Sequence, residues 1–132
     1  MTAGPPMLSP GRDDWPVVRM LTVPVPPSTN SLYRNVPKVG RVKSGAYKAW
    51  REEAGWRLNG QRPPQLKGEV KIDFSVPRNN QRDLDNEQKA ILDLLVEMRV
   101  IERDNMSCVV GLSIECEKRD DVAIWLRQKA AS

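Results

Sequence analysis

The chain contains no histidine. That absence removes the His–Ser and His–Cys catalytic pairs and the usual zinc sites together. Only two cysteines occur, Cys108 and Cys116. Along an extended strand eight residues set them ~26 Å apart, far beyond disulfide reach, so both read as buried strand residues. No apolar run approaches the ~20 residues of a membrane-spanning helix. The N-terminus lacks the basic start and continuous apolar stretch of a signal peptide, which makes the cytoplasm the expected location. For an enzyme built this way, the chemistry left is that of carboxylates, lysine and a hard metal ion.

What is present suits one small folded domain. A chain of 132 residues with 39% hydrophobic content can bury one modest core and is too short for two domains. Lys and Arg number 21 against 17 acids. Residues 1–16 hold one arginine and two aspartates, which leaves a formal +5 on the rest. A mildly basic surface permits nucleic acid as a partner without requiring it.

Residues 1–16, "MTAGPPMLSPGRDDWP", are rich in Pro and Gly without periodicity and read as a disordered tail, with one domain over 17–132. "VVRMLTV" (17–23) predicts a strand that "PVPPSTN" terminates, because proline cannot donate to a ladder. An irregular basic stretch with Arg34, Lys38, Arg41 and Lys43 follows. A helix is expected from Ser44, as N-cap, to Asn59, with Gly60 as its stop and Tyr47, Trp50, Ala54 and Leu58 as its buried stripe. "EVKIDFSV" (69–76) alternates as a half-buried strand does, with Val70, Ile72, Phe74 and Val76 on one side. A second helix is predicted from Leu84 to about Val100, its apolar face set by Leu84, Ile91, Leu95 and Met98. Two strands complete the chain, one alternating from Cys108 to Cys116 and one over Val122, Ile124 and Leu126. "EKRD" between them reads as a hairpin turn. The order argues for an α+β fold, one mixed or antiparallel sheet packed with two helices.

"QRDLDNEQKA" (81–90) carries the chemistry. Asp83 and Asp85 stand one residue apart where a loop meets a helix start. Like charges so close repel, and something must offset the cost. A helix N-terminus would: an aspartate there caps the helix for ~1 kcal/mol. A bound cation would as well. One cap suffices, so the second carboxylate adds little capping. Lys89, four residues after Asp85, would form an i,i+4 pair worth only ~0.3–0.5 kcal/mol. Two carboxylates beside a lysine are also what magnesium-dependent phosphodiester cleavage needs, and "IERDNMS" supplies a third acid, Asp104. Asp104 lies at the far end of a ~24 Å helix and reaches Asp83 only if the chain runs back.

"RDLDNEQKAILDLL" followed by "VIERDNMSCVV" resembles the signature of the RusA family of Holliday junction resolvases. "VPVPPSTNSLYR" is similar to that family's P-P-S-x-N segment, and "GRVKSGAYKAWREE" to its first helix, so the likeness runs over about 20–117. It implies a homodimeric, Mg²⁺-dependent endonuclease, with Mn²⁺ able to substitute, that nicks four-way DNA junctions symmetrically in recombination and repair. It implies metal ligands at Asp83, Asp85 and Asp104, with Lys89 as a further catalytic residue. DNA contacts are implied at Ser28, Thr29, Asn30, Ser31, Asn79, Asn80, Gln81 and Arg82. A bacterial or phage-encoded cytoplasmic protein without membrane contact is the expected setting. The chain departs from the family pattern at Arg103, where the family has an acid beside the last aspartate.

Two rival readings stand beside this one. The same chemistry would serve flaps, forks or RNA, and a chain whose metal site has decayed at Arg103 would bind junctions without cutting them. Asp93 shares a helix face with Lys89 and reads as a structural neighbour of the metal site rather than a ligand. Trp50, Trp56 and Trp125 could stack on unpaired bases, but packing is the simpler reading for each.

Overall fold

The alternation of "EVKIDFSV" is realised as a strand that organises the rest. In the computed structural model, residues 14–27, 33–36, 40–43, 45–78 and 84–130 are described, with side chains except at 33–36, 40–43 and 84–87. The elements are β1 (Val17–Val23), β2 (Tyr33–Val36), β3 (Gly40–Lys43), α1 (Gly45–Gly60), β4 (Val70–Pro77), α2 (Leu84–Glu97), β5 (Val109–Glu117) and β6 (Val122–Arg127). Four strands form one mixed sheet in the order β1-β6-β4-β5. The β1–β6 and β6–β4 pairs are antiparallel and β4–β5 is parallel. The expected α+β class, with one mixed sheet and two helices, is therefore what the chain adopts.

Three details differ from expectation. β5 and β6 do not form a hairpin, because β6 is inserted between β1 and β4 while β5 lies on the outer side of β4. Residues 118–121 therefore step across β4, held by Arg119, whose Nε donates to the Asp121 carbonyl at 2.8 Å. The stretch read as irregular contains a separate two-stranded ribbon, β2 with β3. Cys108 is buried just ahead of β5, but Cys116 is exposed on this outer strand and is not a core residue.

α1 forms because its apolar residues recur at helical spacing, and Tyr47, Trp50, Ala54 and Leu58 are all buried. Trp50 satisfies its indole N–H at the Pro24 carbonyl, 2.8 Å away. In α2 the buried stripe is Ala90, Ile91, Leu94 and Leu95. Both helices share one apolar cluster with Leu21 and Val23 of β1, Ile72 and Phe74 of β4, and Ile124 and Leu126 of β6. Burying each such side chain stabilises the fold by about 1.5–3 kcal/mol.

The other face of β4 is not the solvated face that its polar residues suggest. Asp73 is 2% exposed and Arg127 of β6 6%. Arg127 Nε donates to Asp73 Oδ2 at 2.7 Å, and the Ser113 hydroxyl donates to Asp73 Oδ1 at 2.5 Å. Arg127 also donates to the Trp15 carbonyl at 2.9 Å, and the Lys71 ammonium sits 4.7 Å from the Trp15 ring centre. The segment before β1 thus closes over a paired buried charge, the arrangement a low-dielectric interior demands.

The two sheet edges are treated differently. At β1 the Gln61 side chain behaves as a substitute strand. Its Oε1 accepts from Thr22 N at 2.8 Å and its Nε2 donates to Thr22 O at 2.7 Å. At the other edge β5 pairs only with β4 among the described residues, and it exposes Val110 and Leu112 by 37% and 41%.

Candidate active site

α2 connects two parallel strands, so its end and the loop after it return the chain to the start of β5. The helix stops at Arg99, whose left-handed backbone (φ 61°) lets Val100 N–H reach back to the Leu95 carbonyl at 2.9 Å. The next loop carries Asp104 on the surface. Asn105 shapes its exit: the side-chain oxygen accepts from Ser107 N at 3.0 Å, and the carbonyl accepts from Cys108 N and Val109 N at 3.0 and 2.9 Å. This turn delivers the chain into β5.

The loop brings Asp104 beside Asp93 of α2, close enough for its carboxylate to act on the Asp93 carboxyl. Burial lifts the Asp93 carboxyl above its ordinary 3.8, and Asp104 acts in the same direction. Lys89, one turn earlier on α2, and Arg51 of α1 pull it down and do not cancel the rise. Arg51 is itself held by an ion pair with Glu97 and lies 5.6 Å from the centre of the Tyr47 ring. Lys89, Asp93, Asp104, Arg51 and Glu97 thus form one charged constellation between the helices and the β5 approach. A second acid beside a partly buried one costs free energy that a neighbouring cation offsets.

Of the residues expected from sequence, Lys89 and Asp104 enter this constellation. Asp85 lies in the first turn of α2, and its side chain is outside the described residues. Ser28, Thr29, Asn30, Ser31, Asn79, Asn80, Gln81, Arg82 and Asp83 are outside them too, as is the expected N-cap Ser44. Eight residues separate Asp85 from Asp93, an axial rise of about 12 Å. Among the described side chains, the acid that Asp104 meets is Asp93. Among the described residues no group of three or more acids, cysteines or histidines is arranged to hold a metal ion. No helix among them is long and apolar enough to cross a membrane. Asp93, expected as a structural neighbour of the metal site on the strength of its position one turn beyond Lys89, lies beside Asp104. Nothing local marks Arg51, which arrives from another helix.

Comparison with known families places the chain in a class of enzymes that cut within DNA. Residues 23–127 match the model described as Endodeoxyribonuclease RusA. The match covers most of the chain, which belongs to the RusA family of endodeoxyribonucleases. No curated protein matches the chain.

Proposed function

We propose that this protein is a metal-dependent endonuclease that resolves four-way DNA junctions by paired, symmetric nicks. Membership of the RusA family supports nuclease activity, and the observation that carries the site assignment is the Asp93–Asp104 pair beside Lys89. The donor set fits Mg²⁺, or Mn²⁺ in its place, because the proposed ligands are all carboxylates, which offer hard oxygens, and no histidine exists to favour a softer ion. Asp83, Asp85 and Asp104 are the proposed ligands. When bound, the ion would lower the pKa of a water and offset charge on the phosphate. Lys89 would place an ammonium against the phosphate as negative charge grows. Asp93 would hold the Asp104 carboxylate in place, and Arg51 would keep both acids from excess repulsion. Residues 28–31 and 79–82 would contact the DNA backbone and the branch point.

The substrate calls for two sites, and the sheet registers suggest how a second copy supplies them. Val109 is level with Val70 and Glu117 with Pro77. Asp104 precedes Val109 and Asp83 follows Pro77, so the two acids attach at opposite ends of the strand pair, about 23 Å apart. An antiparallel pairing of β5 with β5 of a second copy would reverse this. With Ser113 opposite its own counterpart, Val109 of one copy lies level with Glu117, and so with the Pro77 end, of the other. Asp104 of each copy then approaches the start of α2 in the other. In that register Leu112 faces Ile114, Val110 faces Cys116, and no glutamate faces a glutamate, which suits an edge without the charged or proline protection that isolated edges carry. The two-fold relation provides two nicking centres for two opposed strands.

The test is cleavage of a substrate panel by purified protein in Mg²⁺: a four-way junction, a flap, a fork and a linear duplex. Paired nicks confined to the four-way junction support the reading. Cleavage of flaps or forks at equal rate moves the assignment to a general branched-DNA nuclease. Binding without cleavage points to a junction-binding protein with Arg103 as its defect.

A further inference from the structure

Of the three tryptophans in the folded elements that sequence reasoning weighed, Trp50 and Trp125 are buried at 5% and 4%, whereas Trp56 is 73% exposed. Trp56 borders an open groove of about 360 Å³ between α1 and the end of α2, lined also by Arg51, Glu52, Gly55, Asn59 and Met98. Gly55 forms its floor. A methyl group added there would meet the Met98 sulfur at 3.8 Å, ordinary contact distance, so a side chain at this position is tolerated and a large one would occupy space in the groove.

Arg51 is common to the groove, which it lines, and the candidate active site, where it acts on Asp93. Glu97, bonded to Arg51, follows Asp93 by four residues, about 6 Å along the helix, and Met98 is next. The chemistry of the groove suits a flat heterocycle rather than a phosphate. The indole offers a stacking face and Gly55 and Met98 an apolar floor. Asn59 brings an amide that can both donate and accept, and Glu52 a carboxylate that accepts only. That carboxylate repels phosphate and favours a ring bearing an exocyclic amino group, while an amide pairs well with adenine N6 and N7.

We propose that the Trp56 groove receives an unpaired nucleobase of the DNA, stacked on the indole, beside the strand held for cleavage. The amino-bearing bases, adenine foremost, are its preferred occupants and thymine its poorest. This inference rests on the endonuclease reading for its substrate class, and it adds a determinant of where on a branched DNA the protein settles. Opening one base at the branch point into the groove gives the protein a contact that fully paired duplex cannot offer.

The test uses the full-length protein without divalent metal and four-way junctions carrying the fluorescent adenine analogue 8-vinyladenine, which keeps N6 and N7, at successive positions around the branch point. Stacking on the indole should quench the probe at one position. Trp56→Ala should abolish that quenching and weaken junction binding about 5- to 150-fold, the range of one base stack. Trp56→Phe should retain part of both effects, and Gly55→Leu, which fills the groove with the indole intact, should lose them. Unchanged quenching and affinity in Trp56→Ala would overturn the proposal. So would a change in the sedimentation of the DNA-free protein caused by Trp56→Ala, since the groove would then be covered by a second copy. Cleavage in Mg²⁺ is scored separately on the unsubstituted protein. If quenching is present but no branched DNA is cut, the endonuclease reading fails while the base site stands.

Discussion

Asp104, on the loop that follows α2, stands beside Asp93 of that helix and adds to the burial that raises the Asp93 carboxyl above the ordinary 3.8. These surroundings set the pH behaviour of Asp93. Asp93 holds its proton more tightly in the folded chain than the ordinary 3.8 allows, chiefly through burial and then through Asp104. A carboxyl whose folded pKa is raised favours folding at low pH, and that contribution is lost as pH rises from about 3.8 through the folded value. Above it, the ionised group is a net cost.

Replacing Asp93 by Asn should therefore raise the thermal midpoint at pH 7 in the absence of metal. Near pH 3, where the carboxyl is protonated in both states, the gain should disappear. Thermal denaturation of both proteins at the two pH values measures this. An equal shift at both would assign the effect to packing rather than to charge.

The buried Arg127–Asp73 pair yields a stability prediction. Arg127→Met leaves the Asp73 carboxylate nearly inaccessible to water without its cation, and breaking a buried pair in this way costs about 3–5 kcal/mol. A double variant, Arg127→Met with Asp73→Leu, should recover a large part of the loss because no buried charge remains unpaired. Urea denaturation of the two variants separates the outcomes. A double variant no more stable than the single would show that the pair does more than neutralise itself.

The β5 edge gives a prediction about assembly. Val110→Lys together with Leu112→Lys places cations along an exposed strand edge and should convert the proposed dimer into monomers by sedimentation, with the fold retained by circular dichroism. Junction cleavage should fall with the dimer.

Whether the acids work across copies can be read from mixed variants. Asp85→Asn and Asp104→Asn should each be inactive alone. Mixed and allowed to exchange, they should recover activity, because one composite site in each mixed pair has its full set of acids. Sites confined to single chains would stay inactive in every mixture.

Much of this architecture is legible in the chain, and the rest depends on contacts that no local pattern encodes. Tyr47, Trp50, Ala54 and Leu58 announce α1 because helical periodicity is a local property. The alternation of Val70, Ile72, Phe74 and Val76 announces β4 for the same reason. Alternation cannot say which strands are neighbours, so "EKRD" read as a hairpin although β6 pairs with β1 and β4. It cannot reveal the second cover of β4 either. Asp73 looked solvated because its partner Arg127 lies 54 residues away. Cys116 has the spacing of a core residue, yet lies on the outer strand. Of the acids and lysine singled out from the motif, Lys89 and Asp104 lie near Asp93, while Asp83 and the Asp85 side chain fall outside the described residues. Asp93 becomes prominent only once the loop folds back onto α2, and Arg51 only once α1 packs beside it.

The most direct test of the central assignment is a gel assay of a labelled four-way junction with the purified protein, in Mg²⁺ and in EDTA, with Asp85→Asn alongside. The account predicts symmetric nicks in Mg²⁺ from the unsubstituted protein, none in EDTA, and none from Asp85→Asn despite undiminished junction binding. Nicking by Asp85→Asn at the unsubstituted rate, or in EDTA, would contradict it.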